Sequence, residues 1–226
     1  MSKSVCSPLW IERLCKAIDV HSAKPTAKFF QVASVDNNGM PKNRTMVFRG
    51  LKNGAILAIC DKRSEKVSQW ESLSRAELCW YFEDTREQFR LACEVVLHSK
   101  DAKINNNLAN SYKGTLEQKA AKGAVLEYMK ETALNVWQNL SKQAQEQFSW
   151  PHPKVPLDNE LLVQGDHESS ITDSNSDAAN QVHENFVLLM FTPDSVDYLN
   201  LYTEPQTREL YTLKGADDWL CTQVNA

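Results

Sequence analysis

Two tight turns near the start of the chain constrain the fold most. Ala27–Val35 (AKFFQVASV) is rich in β-formers and runs into Asp36-Asn37-Asn38-Gly39. Lys42–Leu51 follows, Lys52-Asn53-Gly54 turns the chain again, and Ala55–Cys60 is a further apolar run. Asn and Gly accept the positive φ that short hairpins demand. Connections this short leave no room for a crossover helix, so the three strands are expected as an antiparallel meander.

Around the meander the hydrophobic period lengthens. Ser7-Pro8 ahead of Leu9, Trp10, Leu14, Ala17 and Ile18 reads as an N-cap, a proline at the first helical position and an apolar stripe, giving a helix over about 8–19. Ser64 is placed to cap a short helix with Val67, Trp70 and Leu73 on one face. Strands are expected at Ala76–Phe82 and Gln88–His98. From Thr115 to Phe148 the apolar residues fall at three-and-four spacing, with Ser141 capping a second helix inside the stretch. The prolines Pro151 and Pro153 end it. Strands resume at Asn185–Phe191, Ser195–Tyr202, Glu209–Leu213 and Trp219–Val224. The expected fold class is α+β, mainly β: a closed or partly closed antiparallel barrel with helices packed outside, in one domain over 1–226.

Composition excludes several function classes. A net charge of −4 and a pI near 5.8 give no basic footprint for nucleic acid. No apolar run reaches the ~18 residues of a membrane span. The N-terminal stretch, broken by Glu12, Arg13 and Lys16, has no leader-like apolar core. Cys6, Cys15, Cys60, Cys79, Cys93 and Cys221 show no CxxC pairing and read as reduced thiols of a cytoplasmic protein. Val155–Thr207 holds no lysine or arginine, and its centre, 158–183, is expected to be a mobile acidic surface loop.

The chemistry concentrates in three short stretches. NRTMVFRG (43–50) puts Arg44 and Arg49 on one strand, about 17 Å apart at ~3.3 Å per residue. DKRSEK (61–66) follows a strand and opens a helix, where free N–H groups, Arg63 and Lys66 suit an anion. TREQFR (85–90) starts a strand with Gln88, whose amide offers a donor and an acceptor together. Each stretch taken alone is better read as solvated strand ends, a solvated basic turn or an ordinary glutamine at a strand start. GxGxxG, GxxxxGK, GxSxG and HExxH are absent, and the five histidines are scattered, so no metal site is expected.

In this order, NRTMVFRG, AILAICD, RSEK and ELCWYFEDTREQFR resemble the FMN-binding split-barrel family related to pyridoxamine 5′-phosphate oxidase. The resemblance covers about 8–100 and resumes at LSKQAQEQFSWPHP, FVLLMFTPDSVDYLNL and PQTRELYTL. It implies an antiparallel split β-barrel and FMN as cofactor. It also implies a homodimer with the flavin at the subunit interface. Arg44 matches the position serving the phosphate side; Thr45, Met46 and Val47 match the run along the isoalloxazine and ribityl chain. Arg49 matches a basic position near the flavin edge and the substrate, and Ile59 and Cys60 match a backbone-contact pair. Ser64, Glu65 and Lys66 match the phosphate-binding helix start, and Gln88 the amide that reads the ring. The two arginines would then bracket a long cofactor whose ring covers the apolar residues between them.

The departures fall on the substrate side. Trp137 and Ser141 stand where the authentic oxidase is expected to have tyrosine and arginine. Its C-terminal arginine-x-histidine-x-arginine pattern is reduced to Arg208, followed by Glu209, Leu210, Tyr211 and Thr212. The expectation is an FMN-dependent oxidoreductase passing hydride between FMN and an unidentified small substrate, with Arg49 and Arg208 as substrate contacts. Two alternatives stay open: a flavin-binding carrier without turnover, and an active pyridoxamine/pyridoxine phosphate oxidase with a rebuilt substrate site.

Overall fold

Hydrogen bonding around one hairpin sets the architecture. β1 (Phe29–Val35) pairs antiparallel with β2 (Pro41–Val47), from Phe29 opposite Val47 to Val35 opposite Pro41. In the turn, Asp36 Oδ1 accepts from the backbone N–H groups of Asn38 and Met40, both at 2.9 Å. Gly39 takes a φ of +78°, which its missing Cβ allows.

The computed structural model describes residues 8–100, 116–155, 181–215 and 218–226. The chain divides into two compact units. The first spans Met1–Ile59, Glu65–Leu97 and Leu188–Ala226; the second spans Cys60–Ser64 and His98–Val187. Ser7 and residues 158–180 of the expected acidic loop lie outside the described residues.

In the first unit the chain after β2 changes partner within two residues. Phe48 N–H still donates to Lys28 O at 2.7 Å, whereas Arg49 N–H donates to Leu57 O at 2.8 Å. β3 (Gly50–Lys52) then pairs with β4 (Ala55–Asp61), Gly50 opposite Leu57. The run expected as one strand, Lys42–Leu51, is therefore two, because it serves β1 with its first half and β4 with its second. The strand order is β2-β1-β5-β6-β7-β4-β3, with β5 at Arg75–Phe82, β6 at Glu87–Ser99 and β7 at Phe186–Asn200. The two ends of that path, β2 and β3, are consecutive in sequence, so the bend closes the sheet into the expected antiparallel barrel.

β7 is also a correction. Asn185–Phe191 and Ser195–Tyr202 were expected as separate strands, broken at Thr192-Pro193-Asp194. They form one strand, and β8 (Thr207–Leu213) begins its pairing only at Ser195, just past Pro193. A proline without N–H is tolerated where the ladder changes partner. β9 (Trp219–Val224) completes the ladder beyond β8.

Aromatic rings fill the first unit. Trp80 is fully buried, with Phe30 at 5.3 Å, Phe48 at 5.2 Å and Phe82 stacked at 5.6 Å, and its Nε1–H donates to Ala27 O at 3.1 Å. Helix α1 (Leu9–Val20) buries Trp10, Leu14 and Ala17, one stripe at three-to-four spacing, and α2 (Glu65–Ser72) buries Val67, Gln69 and Trp70. No helix among the described residues is long and apolar enough to cross a membrane. Cys15, Cys60, Cys79, Cys93 and Cys221 are free thiols.

The second unit holds α3 (Leu116–Gln138) and α4 (Lys142–Glu146). As expected, Ser141 caps α4, its Oγ accepting from Ala144 N–H at 3.2 Å. Trp137, Phe148 and Phe186 meet edge-on or tilted at 5.4–5.5 Å. Arg63 donates to Trp150 O at 3.0 Å and grips Asp61 through Nη2 at 2.7 Å.

The bend depends on Gly50, whose φ of +144° disfavours an L side chain although an added Cβ would meet Leu57 Cδ1 at an ordinary 3.8 Å. Gly50→Ala should destabilise the protein through backbone strain, on the order of 1–3 kcal/mol, measured by urea unfolding. A midpoint equal to wild type would show that the bend tolerates a side chain.

Candidate functional site

β2 sends alternate side chains to opposite faces, and this decides what each expected residue can do. Met46 is buried in the core and Arg44 shares its face, while Thr45 is exposed and Val47 half-buried. Arg44 Nη1 donates to Ser34 Oγ at 2.6 Å and to Val32 O at 3.3 Å, and Nη2 donates to Gln69 Oε1 at 3.0 Å. Ser34 in turn donates to Gln69 Oε1 at 2.6 Å, and the Arg44 guanidinium lies 5.7 Å over the Trp70 ring. Gln69 and Trp70 stand three and four residues after Lys66, so all three share one side of α2. The network therefore holds Arg44 on the side of α2 that carries Lys66, about one turn (~5.4 Å) from the helix start.

Glu65 and Lys66 form the first turn of α2, and Ser64 immediately precedes it. In the turn before the helix, Ser64 N–H donates to Asp61 O at 3.0 Å. Burial raises the Asp61 carboxyl, but the Arg63 side-chain and backbone hydrogen bonds outweigh it and hold the pKa below the usual carboxylate value. Arg63, the second cation of DKRSEK, is thus committed to Asp61 and to the carbonyls of Phe148 and Trp150. Lys66 has no hydrogen-bond or ion-pair partner among the described residues. Ile59 is half-buried and Cys60 buried at the end of β4.

The opposite face of β2 continues across three further strands. Thr45 lies opposite Gln31 on β1, Gln31 opposite Cys79 on β5, and Cys79 opposite Arg90 on β6. Directly opposed residues share a face. Val47 opposite Phe29, and Tyr81 opposite Gln88, extend the same surface, on which Phe29 and Tyr81 are exposed. The barrel thus brings Thr45, Val47 and Gln88 onto one outer face. The Gln88 amide has no partner among the described residues. Arg49, at the bend, is exposed and its guanidinium is also without a partner among them, and desolvation by its neighbours lowers its pKa from the ordinary value.

Arg208, on β8, is gripped by Asp197 through Nε at 3.0 Å and Nη2 at 2.8 Å. Arg90 approaches the same carboxylate at 3.6 Å and pairs with Glu77 at 3.0 Å. Arg208 is therefore joined, through Asp197 and Arg90, to the face of β6 that carries Gln88. Ser34, Gln69, Arg90 and Asp197 were not singled out from sequence. For Ser34 a signal existed, because it shares the strand parity of the core residues Phe30 and Val32.

The sequence profile of the pyridoxamine 5′-phosphate oxidase FMN-binding domain matches residues 7–99. The structure of a pyridoxamine 5′-phosphate oxidase-related, FMN-binding protein from Nostoc punctiforme is 33% identical, with 100% of each chain covered and a TM-score of 0.76. The chain belongs to this pyridoxamine 5′-phosphate oxidase-related, FMN-binding family. Pyridoxine/pyridoxamine 5′-phosphate oxidase 2 of Arabidopsis thaliana is 28% identical over 222 residues, 96% of each chain. PhzG of Burkholderia lata, solved with tetrahydrophenazine-1-carboxylic acid, is 13% identical at a TM-score of 0.65 over 100% of this chain and 98% of its own, which shows the shared fold.

FMN is the family's cofactor, and the residues of this chain fit it. A helix start with Lys66 and Arg44 on one side suits a phosphate dianion. An unpartnered amide at Gln88 and an unpartnered cation at Arg49 suit the polar edges of a flat ring.

Lys66→Ala and Arg44→Ala should each weaken FMN binding about tenfold or more, since a hydrogen bond to a charged group contributes roughly 1.5–3 kcal/mol. Gln69→Leu should weaken it less, by releasing Arg44. Quenching of FMN fluorescence measures all three, and unchanged affinity in both alanine variants would move the phosphate elsewhere. Asp61 stabilises the folded chain above its unfolded pKa of about 3.9, and that contribution is lost as pH falls through the lower folded value. The gap in melting temperature between wild type and Asp61→Asn should therefore be full at neutral pH and close in acid.

Proposed function

We propose that this protein is an FMN-dependent oxidoreductase that passes hydride between FMN and a small substrate, working as a homodimer in the cytoplasm. The observation that carries the reading is the outer face on which Thr45, Val47 and Gln88 stand together, flanked by the Arg90–Asp197–Arg208 ion pairs. Bound there, FMN supplies two-electron chemistry. Lys66, Arg44 and the start of α2 hold its phosphate, with Ser64 contributing its hydroxyl and Glu65 its backbone at the first turn of that helix. Thr45 and Val47 line it by side chain, whereas Met46, turned into the core, and Ile59 and Cys60 meet it through backbone. Gln88 hydrogen-bonds the ring edge, and the Arg49 guanidinium stabilises negative charge that develops there. Arg49 and Arg208 orient the substrate.

The same surface supports the dimer. Phe29 and Tyr81 are 38% and 47% exposed beside the flavin-lining residues, and a second copy would cover them. The full-length likeness to the Arabidopsis oxidase supports oxidoreductase chemistry. Arg208 is already paired with Asp197. A substrate with one negative charge therefore suits the site better than a phosphate dianion.

Purified protein should be yellow, release FMN on denaturation, and sediment at about twice the chain mass of 25.7 kDa. Under anaerobic conditions the oxidised flavin should be bleached by a substrate from a panel of small carboxylates and amines, which gives up a hydride to it. Turnover of pyridoxamine or pyridoxine phosphate should be slow, and Arg208→Ala should raise KM for the substrate found. Colourless protein that ignores added FMN would reject the whole reading. Bound flavin with no turnover on any substrate would leave a carrier instead.

A further inference from the structure

The geometry points to Ser34 and Gln69 as positioning residues that give the flavin site its preference for a phosphorylated flavin over the bare one. The inference rests on the proposed placement of the FMN phosphate against Arg44 and Lys66. Neither Ser34 nor Gln69 is given a contact with the cofactor; both act through Arg44.

The two side chains are polar at positions that the fold turns inward. Ser34 has the strand parity of Phe30 and Val32 and is 4% exposed, and Gln69 is buried between Val67 and Trp70 on α2 at 5%. A buried hydroxyl or amide costs stability unless it is hydrogen-bonded, so the destination of its bonds shows what it serves. Here the bonds close a triangle on one guanidinium. Ser34 Oγ accepts from Arg44 Nη1 at 2.6 Å and donates its single proton to Gln69 Oε1 at 2.6 Å. Gln69 Oε1 takes a second bond from Arg44 Nη2 at 3.0 Å. The two Nη atoms are thus held by acceptors, one from β1 and one from α2, that also hold each other. Trp70 lies under the guanidinium at 5.7 Å and closes its remaining side.

Arg44 stands on a strand whose neighbouring positions, Pro41 to Asn43 and Thr45, are exposed. Without the triangle a long side chain there would range through many rotamers and would have to be ordered when an anion arrives. The triangle orders it beforehand. The benefit falls on the phosphate alone, because Arg44 and Lys66 serve that end of the ligand while Gln88 and Arg49 serve the ring. Riboflavin, which has the ring and lacks the phosphate, should not sense the loss of the triangle. A role confined to joining β1 to α2 predicts the opposite, since loosening that joint would weaken both flavins alike.

The test measures FMN and riboflavin affinity of the full chain, freed of flavin, by fluorescence quenching in wild type, Ser34→Ala and Gln69→Leu. Wild type should bind FMN more tightly than riboflavin. Each variant should lower FMN affinity about three- to tenfold and leave riboflavin affinity within about twofold, since the ordering of one side chain is at stake. In an Arg44→Ala background the same two substitutions should change FMN affinity by less than about twofold, because the residue they position is gone. Melting curves check that each variant folds, and if one does not, the other reads the site. Failure of both to fold, equal losses for the two flavins, an undiminished preference for FMN in a folded variant, or further loss on Arg44→Ala would each overturn the inference. Wild type that binds both flavins equally would overturn the phosphate placement itself, and the inference with it.

Discussion

The first unit depends on a transfer of backbone hydrogen bonds between Phe48 and Arg49. A strand that leaves its partner ordinarily strands N–H groups, and a buried unpaired N–H costs about as much as a lost hydrogen bond. Here the donor at Phe48 stays with Lys28 O and the next, at Arg49, is already on Leu57 O. The chain turns from β1 to β4 without losing a bond. Phe48 packs on Trp80 at the same point, so the bend is held from the core as well as along the ladder. Gly50 supplies the backbone angle the turn requires. Because the sheet closes there, the side-chain alternation of β2 separates an inner face, with Arg44 and Met46, from an outer one, with Thr45 and Val47.

That alternation explains why two arginines on one short stretch have different surroundings. Arg44 is fixed by a hydroxyl, a carbonyl and an amide, and its plane lies over an indole. A guanidinium held at several points loses little further freedom when an anion arrives, so its affinity is not spent on ordering. Arg49 sits one residue before Gly50, at the closure, and keeps its charge exposed. One is built into the scaffold that links β2 to α2; the other remains available to something outside the chain.

The legible parts of this fold were the local ones. Asp36–Gly39, Asn53-Gly54, the stripe of α1 and the Ser141 cap each act within a few residues, and each formed as the sequence indicated. The partner change at Phe48–Arg49 was not legible, because it depends on β4 lying where β1 ends, and only Gly50 hinted at it. The gap expected between Phe191 and Ser195 is bridged, because the ladder changes partner there instead of ending. The site shows the same division. Arg44, Lys66 and Gln88 stand in recognisable runs, but Ser34 and Gln69 meet across 35 positions and Arg208 finds Asp197 across a strand pair. Register, set by the whole sheet, decides such contacts.

The charge balance beside Gln88 narrows what the outer face can take. Arg90 and Arg208 face Glu77 and Asp197, two cations against two carboxylates. A phosphate dianion arriving there would have to displace Asp197 from a bidentate pair, and the displaced carboxylate would repel it. A single carboxylate could share Arg208 or turn to Arg49, whose charge has no partner among the described residues to give up. The cations at α2 differ: Lys66 faces no carboxylate partner among those residues, and the helix start adds its own positive end. The chain therefore concentrates its capacity for a doubly charged group at the start of α2 and leaves a balanced, polar surface at the far end. That asymmetry fits a long ligand with a phosphate at one end and a lightly charged reaction partner at the other.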